Sequence, residues 1–268
     1  MPAVSAQSNP ANTKRILIAN KKIDLQKIRA KRALASQNTS APAQKSSVPA
    51  FAVLGDATTT PSSPPDCTQS ACLALTFDDG PNAVTTPQVM ATLEQHKIPA
   101  TFFVIGSHIA GQEQLLQRMN ADGDEIGNHS WSHPNLTTLY PGQVAQQVAM
   151  TQAAITAAGV PAPTLFRPPY GAINTMVRSI IPLPLLLWNE DPKDWQANNA
   201  AQVVASVDIN AKPGGIVDMH DIYRSTADAL PQIVTDLTRR GFHFVTVSQL
   251  LGLQADSRGV FYGHAASQ

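Results

Sequence analysis

Two adjacent carboxylates, Asp78 and Asp79, sit in the stretch TFDDGP (Thr76 to Pro81), where an apolar run ends and Gly80–Pro81 turns the chain sharply. Neighbouring side chains at a strand end point in different directions. One carboxylate can therefore hold a divalent metal while the other takes a proton from a water. Like charges at the mouth of a buried strand repel and are costly to desolvate, so folding alone does not call for the pair. The alternative is a pair of capping aspartates ahead of a helix that begins near Ala83.

Four more segments carry polar residues of chemical use. In HSWSH, His129 and His133 are spaced to meet on one face of a helical turn, or of a strand end running into one. With Asp79 they make three protein ligands, leaving room for a water as catalytic zinc sites require. Trp131 between them suits either a sugar-pocket wall or the core. In RPPYG, two prolines stiffen a strand end and Gly171 permits close backbone approach. A buried Arg167 there needs an anionic partner, and Asp78 is the candidate. In DPKDW and DMHD, His220 at a strand's C-terminal end suits a general acid, and Asp194 can orient its imidazole and favour the protonated form.

These residues must be positioned by the runs that precede them. LALTF (73–77), TFFVIG (101–106), DEIGNHS (124–130), TLFRPPY (164–170), LPLLLWN (183–189), GGIVDMH (214–220) and FHFVTV (242–247) read as strands. Helical lengths separate most of them, at about 84–97, 109–121, 141–158, 200–211 and 225–240. The alternation predicts an α/β fold of about seven parallel strands buried on both faces, either an open sheet or a barrel. Because the polar residues stand at the C-terminal ends of the runs, a (β/α) barrel gathers them on one face and is the expected architecture.

The five segments, in this order, resemble the motifs of the carbohydrate esterase family 4 polysaccharide deacetylases, the NodB-homology family, over roughly residues 70–255. The resemblance implies a distorted β/α barrel in which Asp78 is the catalytic base and Asp79, His129 and His133 bind the metal. It implies that Arg167 holds Asp78, that the Tyr170 backbone N–H contributes to an oxyanion hole, and that Trp195 walls the substrate pocket. His220 would be the general acid and Asp194 its partner. The implied reaction is hydrolytic removal of acetyl groups from N-acetylated amino sugars of a surface polysaccharide, most of all peptidoglycan. Chitin-like oligomers and O-acetyl xylan come next, and a non-catalytic carbohydrate-binding protein on the same scaffold is the competing class. Zn2+ is the expected metal, with Co2+ or a similar ion as the alternative.

One position departs from the family pattern. The last motif usually reads Leu-x-His, with leucine lining the acyl pocket, whereas this chain has Asp218 two residues before His220. Asp218 is therefore expected on the same strand face as His220, reaching the substrate pocket. The prolines of IIPLP (180–184) should also leave little helix between the fourth and fifth strands.

Charge is distributed unevenly along the 268 residues. Residues 1–65 hold nine Lys/Arg against two Asp/Glu, a balance of +7, and the remainder ten against seventeen, a balance of −7. The first 65 residues are rich in Ala, Ser, Thr, Pro, Gln and Asn, a composition that buries too little surface to offset ordering. They read as a basic low-complexity tail, with one amphipathic helix expected over Lys14 to Ala35. A catalytic domain is expected over 66–255 and a C-terminal tail over 256–268. The tail is expected either to stay solvated or to meet a membrane surface or an anionic wall polymer. Polysaccharide is the expected partner of the domain, with no nucleic acid and a monomeric state. No stretch reaches the roughly 18–20 apolar residues that span a bilayer, and no apolar signal core is visible. Cys67 and Cys72 flank four residues, a spacing suited to a disulfide and poor for zinc. Pairing would place the protein in an oxidising, extracellular or cell-surface setting.

Overall fold

The computed structural model describes residues 65–254 and 256–263. The expected tail helix over Lys14 to Ala35 lies outside these residues. Strand β1 (Cys72–Asp78) is buried along its whole length and forms the centre of the sheet. It pairs in parallel with β2 (Thr101–Val104) on one side and β5 (Gly215–His220) on the other, while β3 (Glu125–Asn128) extends the sheet beyond β2. Helices α1 (Thr86–His96), α2 (Glu113–Asp122), α3 (Pro141–Ala157), α5 (Ala200–Asn210) and α6 (Arg224–Arg239) fall close to the five expected helical lengths. Between α3 and α5, only the short α4 (Thr175–Ile180) forms before the IIPLP prolines end it.

The two-residue alternation of a strand sorts β1 and β5 into an outer and an inner face. Leu73, Leu75 and Phe77 of β1 join Val217 and Met219 of β5 in the core shared with the helices. Phe77 stacks on Phe102 of β2 with ring centroids 5.2 Å apart. Each such side chain contributes about 1.5–3 kcal/mol by leaving water. Ala74 and Ile216 face the other way, into a second core with Phe103, Leu165, Leu186 and Val245. On that inner face the next residues along the strands are Thr76 and Asp78 on β1, and Asp218 and His220 on β5. The interior therefore turns from apolar to charged toward the strands' C-terminal ends, which is where a barrel places its chemistry.

The rest of the ring is thinner. Single parallel bridges run from Asn128 to Phe166 and from Phe166 to Leu185, and Glu190 bridges Val217 of β5. The result is a distorted barrel, with full ladders on the β5–β1–β2–β3 side and isolated bridges on the other. The expected strand over 164–170 shrinks to the bridge at Phe166, because Pro168 and Pro169 have no N–H to extend a ladder. The run over 242–247 also forms only a two-residue strand, β6 (His243–Phe244), against the N-terminal end of β1. Thr246 is diverted into a capping box with Gln249 that starts helix α7 (Val247–Leu251). Strand β4 (Leu185–Leu186) pairs with β7 (Val260–Phe261), so paired structure continues past residue 255 into the stretch expected to be a tail. A disulfide joins Cys72, the first residue of β1, to Cys67 in the turn before it.

Candidate active site

Asp78 is the last residue of β1 and is almost fully buried. Its Oδ1 accepts a hydrogen bond from Arg167 Nη1 at 2.8 Å, and its Oδ2 lies 3.5 Å from His129 Nε2. Burial pushes the carboxyl up, Arg167 opposes it, and the balance is a pKa of about 6. The chain then bends through Asp79 at φ 73°, which swings this second carboxylate away from the first. Gly80 follows because a Cβ there would strike the carboxylate of Asp221.

Asp79, His129 and His133 offer ligand atoms that all lie within 4.8 Å of one another. Asp79 Oδ1 is 3.6 Å from His129 Nε2 and 3.4 Å from His133 Nε2, and it is buried with no hydrogen-bond partner. His129 Nδ1 lies 2.7 Å from the carbonyl oxygen of Arg167, which makes Nδ1 the protonated nitrogen and leaves Nε2 with its lone pair available to a cation. Burial lowers the pKa of His129 to about 3, and burial also holds the His133 imidazole below its ordinary value, so both rings favour the neutral form at neutral pH. Two neutral imidazoles and one orphaned carboxylate oxygen fit a divalent cation of the zinc type. No helix presents the histidines. They leave the end of β3 through a bend in which Ser130 (φ 68°) and His133 (φ 57°) take left-handed backbone angles. With Asp79 and Tyr170 (φ 60°), four non-glycine residues at this one site hold such angles, the kind of local strain that clusters at functional positions.

Arg167 is wholly buried, with its guanidinium 4.2 Å from the centre of the Phe103 ring. Its Nη1 also reaches Thr76 Oγ1 (2.7 Å) and Asp218 Oδ1 (2.8 Å). Oδ1 of Asp218 is thus engaged by Arg167, one inward-facing layer below His220. Burial and the neighbouring Asp78 raise its pKa well above the usual carboxylate range. Tyr170 is exposed, its ring edge-on to His133 with centroids 4.5 Å apart.

His220 ends β5, directly across from Asp78 in the strand register. Asp194 binds it twice: Oδ1 lies 2.8 Å from His220 Nδ1, and Oδ2 accepts from the His220 backbone N–H at 2.7 Å. Burial alone would lower this histidine's pKa. The hydrogen bond and charge of Asp194, then the charges of Asp78 and Asp218, raise it to about 10. Trp195 follows Asp194 in a single 3-10 turn and is half exposed. Asp191 serves only that loop, accepting from Lys193 N–H at 2.9 Å. Trp131 is half-buried and packs its ring over Gly106.

Several supporting residues gave no sequence signal. Thr226 donates to Asp194 Oδ2 at 2.6 Å, and Thr86 donates to the buried Asp221. His108, outside every motif, places Nδ1 2.9 Å from the backbone oxygen of Asp79. It helps line a cavity of about 220 Å³ beside Asp79 and His133, with Ser107 and Ser132. Each of these contacts joins residues far apart in the chain or uses a residue type common everywhere.

The polysaccharide deacetylase family pattern matches residues 66–182. The chain is 46% identical over 178 residues to the peptidoglycan-N-acetylmuramic acid deacetylase PdaC of Bacillus subtilis, covering 66% of this chain and 38% of that protein. It is 38% identical over 203 residues to a chitooligosaccharide deacetylase of Bradyrhizobium, covering 69% of this chain and 93% of that one. A family 4 acetyl xylan esterase from Clostridium thermocellum, solved in complex with a cobalt ion, superposes with a TM-score of 0.68 at 31% identity. That match covers 72% of this chain and 98% of the esterase. On this likeness in sequence and fold, the chain belongs to the polysaccharide deacetylases of carbohydrate esterase family 4.

Proposed function

We propose that this chain is a divalent-metal-dependent hydrolase that removes acetyl groups from N-acetylated amino sugars of a surface polysaccharide, with peptidoglycan the foremost substrate. The observation that carries the proposal is the pairing of Asp78 with His220 across β1 and β5, beside the Asp79–His129–His133 cluster. A base and an acid of opposite protonation state face each other over three converging ligands, as amide hydrolysis requires. Zn2+ is the proposed ion, and it would supply Lewis acidity at the acyl oxygen and at the attacking water.

The chain's own residues account for the proton movements. Asp78, ionised above a pKa of about 6, accepts a proton from the attacking water. Arg167 holds its Oδ1, leaving Oδ2 directed at the ligand cluster. The Tyr170 backbone N–H donates to the developing oxyanion, and Trp195 walls the sugar. His220, protonated at neutral pH, passes its proton to the departing amine, and Asp194 keeps the ring oriented and charged.

Peptidoglycan ranks first because the PdaC relative is named for that polymer, and the chito-oligosaccharide and xylan relatives supply the next two substrates. The presence of both base and acid argues against a purely carbohydrate-binding role. The Cys67–Cys72 disulfide supports a site of action outside the cytoplasm. The monomeric state, and a basic tail that gathers the enzyme on an anionic wall polymer or membrane surface, complete the proposal. Acetate release from acetylated chito-oligomers and from peptidoglycan, measured with zinc and with chelator, tests the reading. Release that chelator abolishes and zinc restores is expected; no release from any acetylated polymer with zinc present would refute it.

The acid assignment has its own test in pH. Rate should rise as Asp78 ionises, and a bound cation will draw that limb to about 6 or below. It should fall as His220 loses its proton toward about 10. Asp194→Asn removes the largest contribution that raises His220, so burial prevails and the alkaline limb should move toward neutrality. An unchanged alkaline limb in kcat/KM against pH would show that His220 is not the titrating acid.

A further inference from the structure

Arg167 is held in an unusual way by its neighbours. Thr76 Oγ1 (2.7 Å), Asp78 Oδ1 (2.8 Å) and Asp218 Oδ1 (2.8 Å) all crowd one nitrogen, Nη1. A terminal guanidinium nitrogen has two hydrogens, so three acceptors divide two donors. Thr76 takes part as an acceptor, since its own hydroxyl hydrogen goes to Val217 O at 2.6 Å. The remainder of the guanidinium has little hydrogen bonding. Nε is buried without a partner among the described residues, and Nη2 reaches only Leu187 O at 3.5 Å. The rings of Phe103 and Trp188, 4.2 and 5.6 Å from Cζ, flank it. Few contacts besides those at Nη1 determine where along the β1–β5 seam this nitrogen rests.

The strand register makes the geometry specific. Thr76 is the register partner of Asp218, and Asp78 that of His220. Asp218 and Asp78 therefore approach Nη1 from the two strands, one from β5 and one from β1. An apolar residue at 218 would leave two acceptors for two hydrogens, both on β1, and Nη1 would be drawn wholly to that strand. Asp218 supplies the opposing pull.

We propose that Asp218 is a positioning residue for Asp78: by sharing Arg167 Nη1 it sets the guanidinium between β1 and β5, and so sets how Asp78 presents Oδ2 to the site. The proposal rests on the deacetylase reading, with Asp78 as its base. It makes Asp218 a residue that acts through Arg167, not one that touches the acyl group.

The test compares Asp218→Ala, Asp218→Leu and the near-isosteric Asp218→Asn in the full, zinc-loaded chain on an acetylated chito-oligomer. Misplacement of a reacting group by about 1 Å can cost on the order of 10²-fold in rate. Ala and Leu are expected to lower kcat by about tenfold or more while KM stays within about twofold. Asn, which keeps an acceptor oxygen facing Nη1, should recover most of the loss. Co2+ affinity should stay unchanged in all three, because Asp79, His129 and His133 are untouched. A crystal structure of the Leu variant should show Nη1 withdrawn from β5 toward Asp78. A rise in KM at constant kcat would make Asp218 a substrate contact and overturn the proposal. Wild-type kcat in both Ala and Leu, an Asn variant no better than Leu, or an unmoved Arg167 would also overturn it. Should the wild type release no acetate from any polymer, the deacetylase reading fails, while the position of Arg167 in the variant structures still decides this geometry.

Discussion

Asp78→Asn will retain its bound metal and lose turnover by about 10²–10⁴-fold, the usual contribution of a positioned general base. Asparagine keeps an oxygen for Arg167 Nη1 and nearly the same volume, so the packing around β1 should survive. Arg167 also keeps its 2.8 Å hydrogen bond to Asp218, so the substitution does not leave the buried guanidinium without an acidic partner. What disappears is, among the described residues, the one carboxylate that faces His129 Nε2 without belonging to the ligand cluster. Metal content by mass spectrometry, circular dichroism and single-turnover kinetics separate these effects. Wild-type turnover in a metal-replete Asp78→Asn enzyme would exclude Asp78 as the base.

The second large effect is expected at the ligands, and its signature is the opposite one. His129→Ala and His133→Ala should each lose metal and activity together, with the fold retained. Each change removes one of three donors. Removing merely an outer-shell partner of a metal ligand typically costs 10–100-fold in affinity, and loss of a ligand itself should exceed that. His129 should be the more damaging position. Its ring is buried and its Nδ1–H is anchored on the Arg167 carbonyl, so its deletion also leaves that buried carbonyl without this donor. His133 is partly exposed, and water can replace it more readily. Equilibrium dialysis with zinc or cobalt, beside thermal unfolding of the apo and loaded forms, measures both. Full metal occupancy in the double variant would remove Asp79, His129 and His133 as the metal site.

The chemical groups of this site are legible in the sequence because each lies in a short contiguous segment and its residue type dictates what it can do. An Asp-Asp pair, two histidines four apart, and an arginine between a strand and two prolines are local facts. The strand-like character of 73–77, 101–106 and 214–220, and the helical lengths between, follow from periodicity, which is local too. That information is enough to expect parallel β/α units with the polar residues at one end.

What only the tertiary structure decides are relations between distant segments. TLFRPPY has the composition of a strand, yet its prolines leave only Phe166 bridged, to Asn128 on one side and Leu185 on the other. Val260–Phe261 becomes a strand because β4 offers it a partner, and two residues carry too little pattern to announce this. The partners of Asp194 and Asp221, Thr226 and Thr86, are ordinary helix residues in sequence, recognisable only once packing brings them within hydrogen-bonding distance. Asp218 shows the division most clearly. Its place on the inner face with His220 follows from the alternation of β5, but whether its carboxylate turns to substrate or to protein depends on a guanidinium 51 residues away in sequence. Sequence patterning sets which face a side chain takes, because alternation is a property of the backbone itself. The partner it meets on that face is set by strand register and by the packing of segments distant in sequence, which depend on the free energy of the whole packed interior.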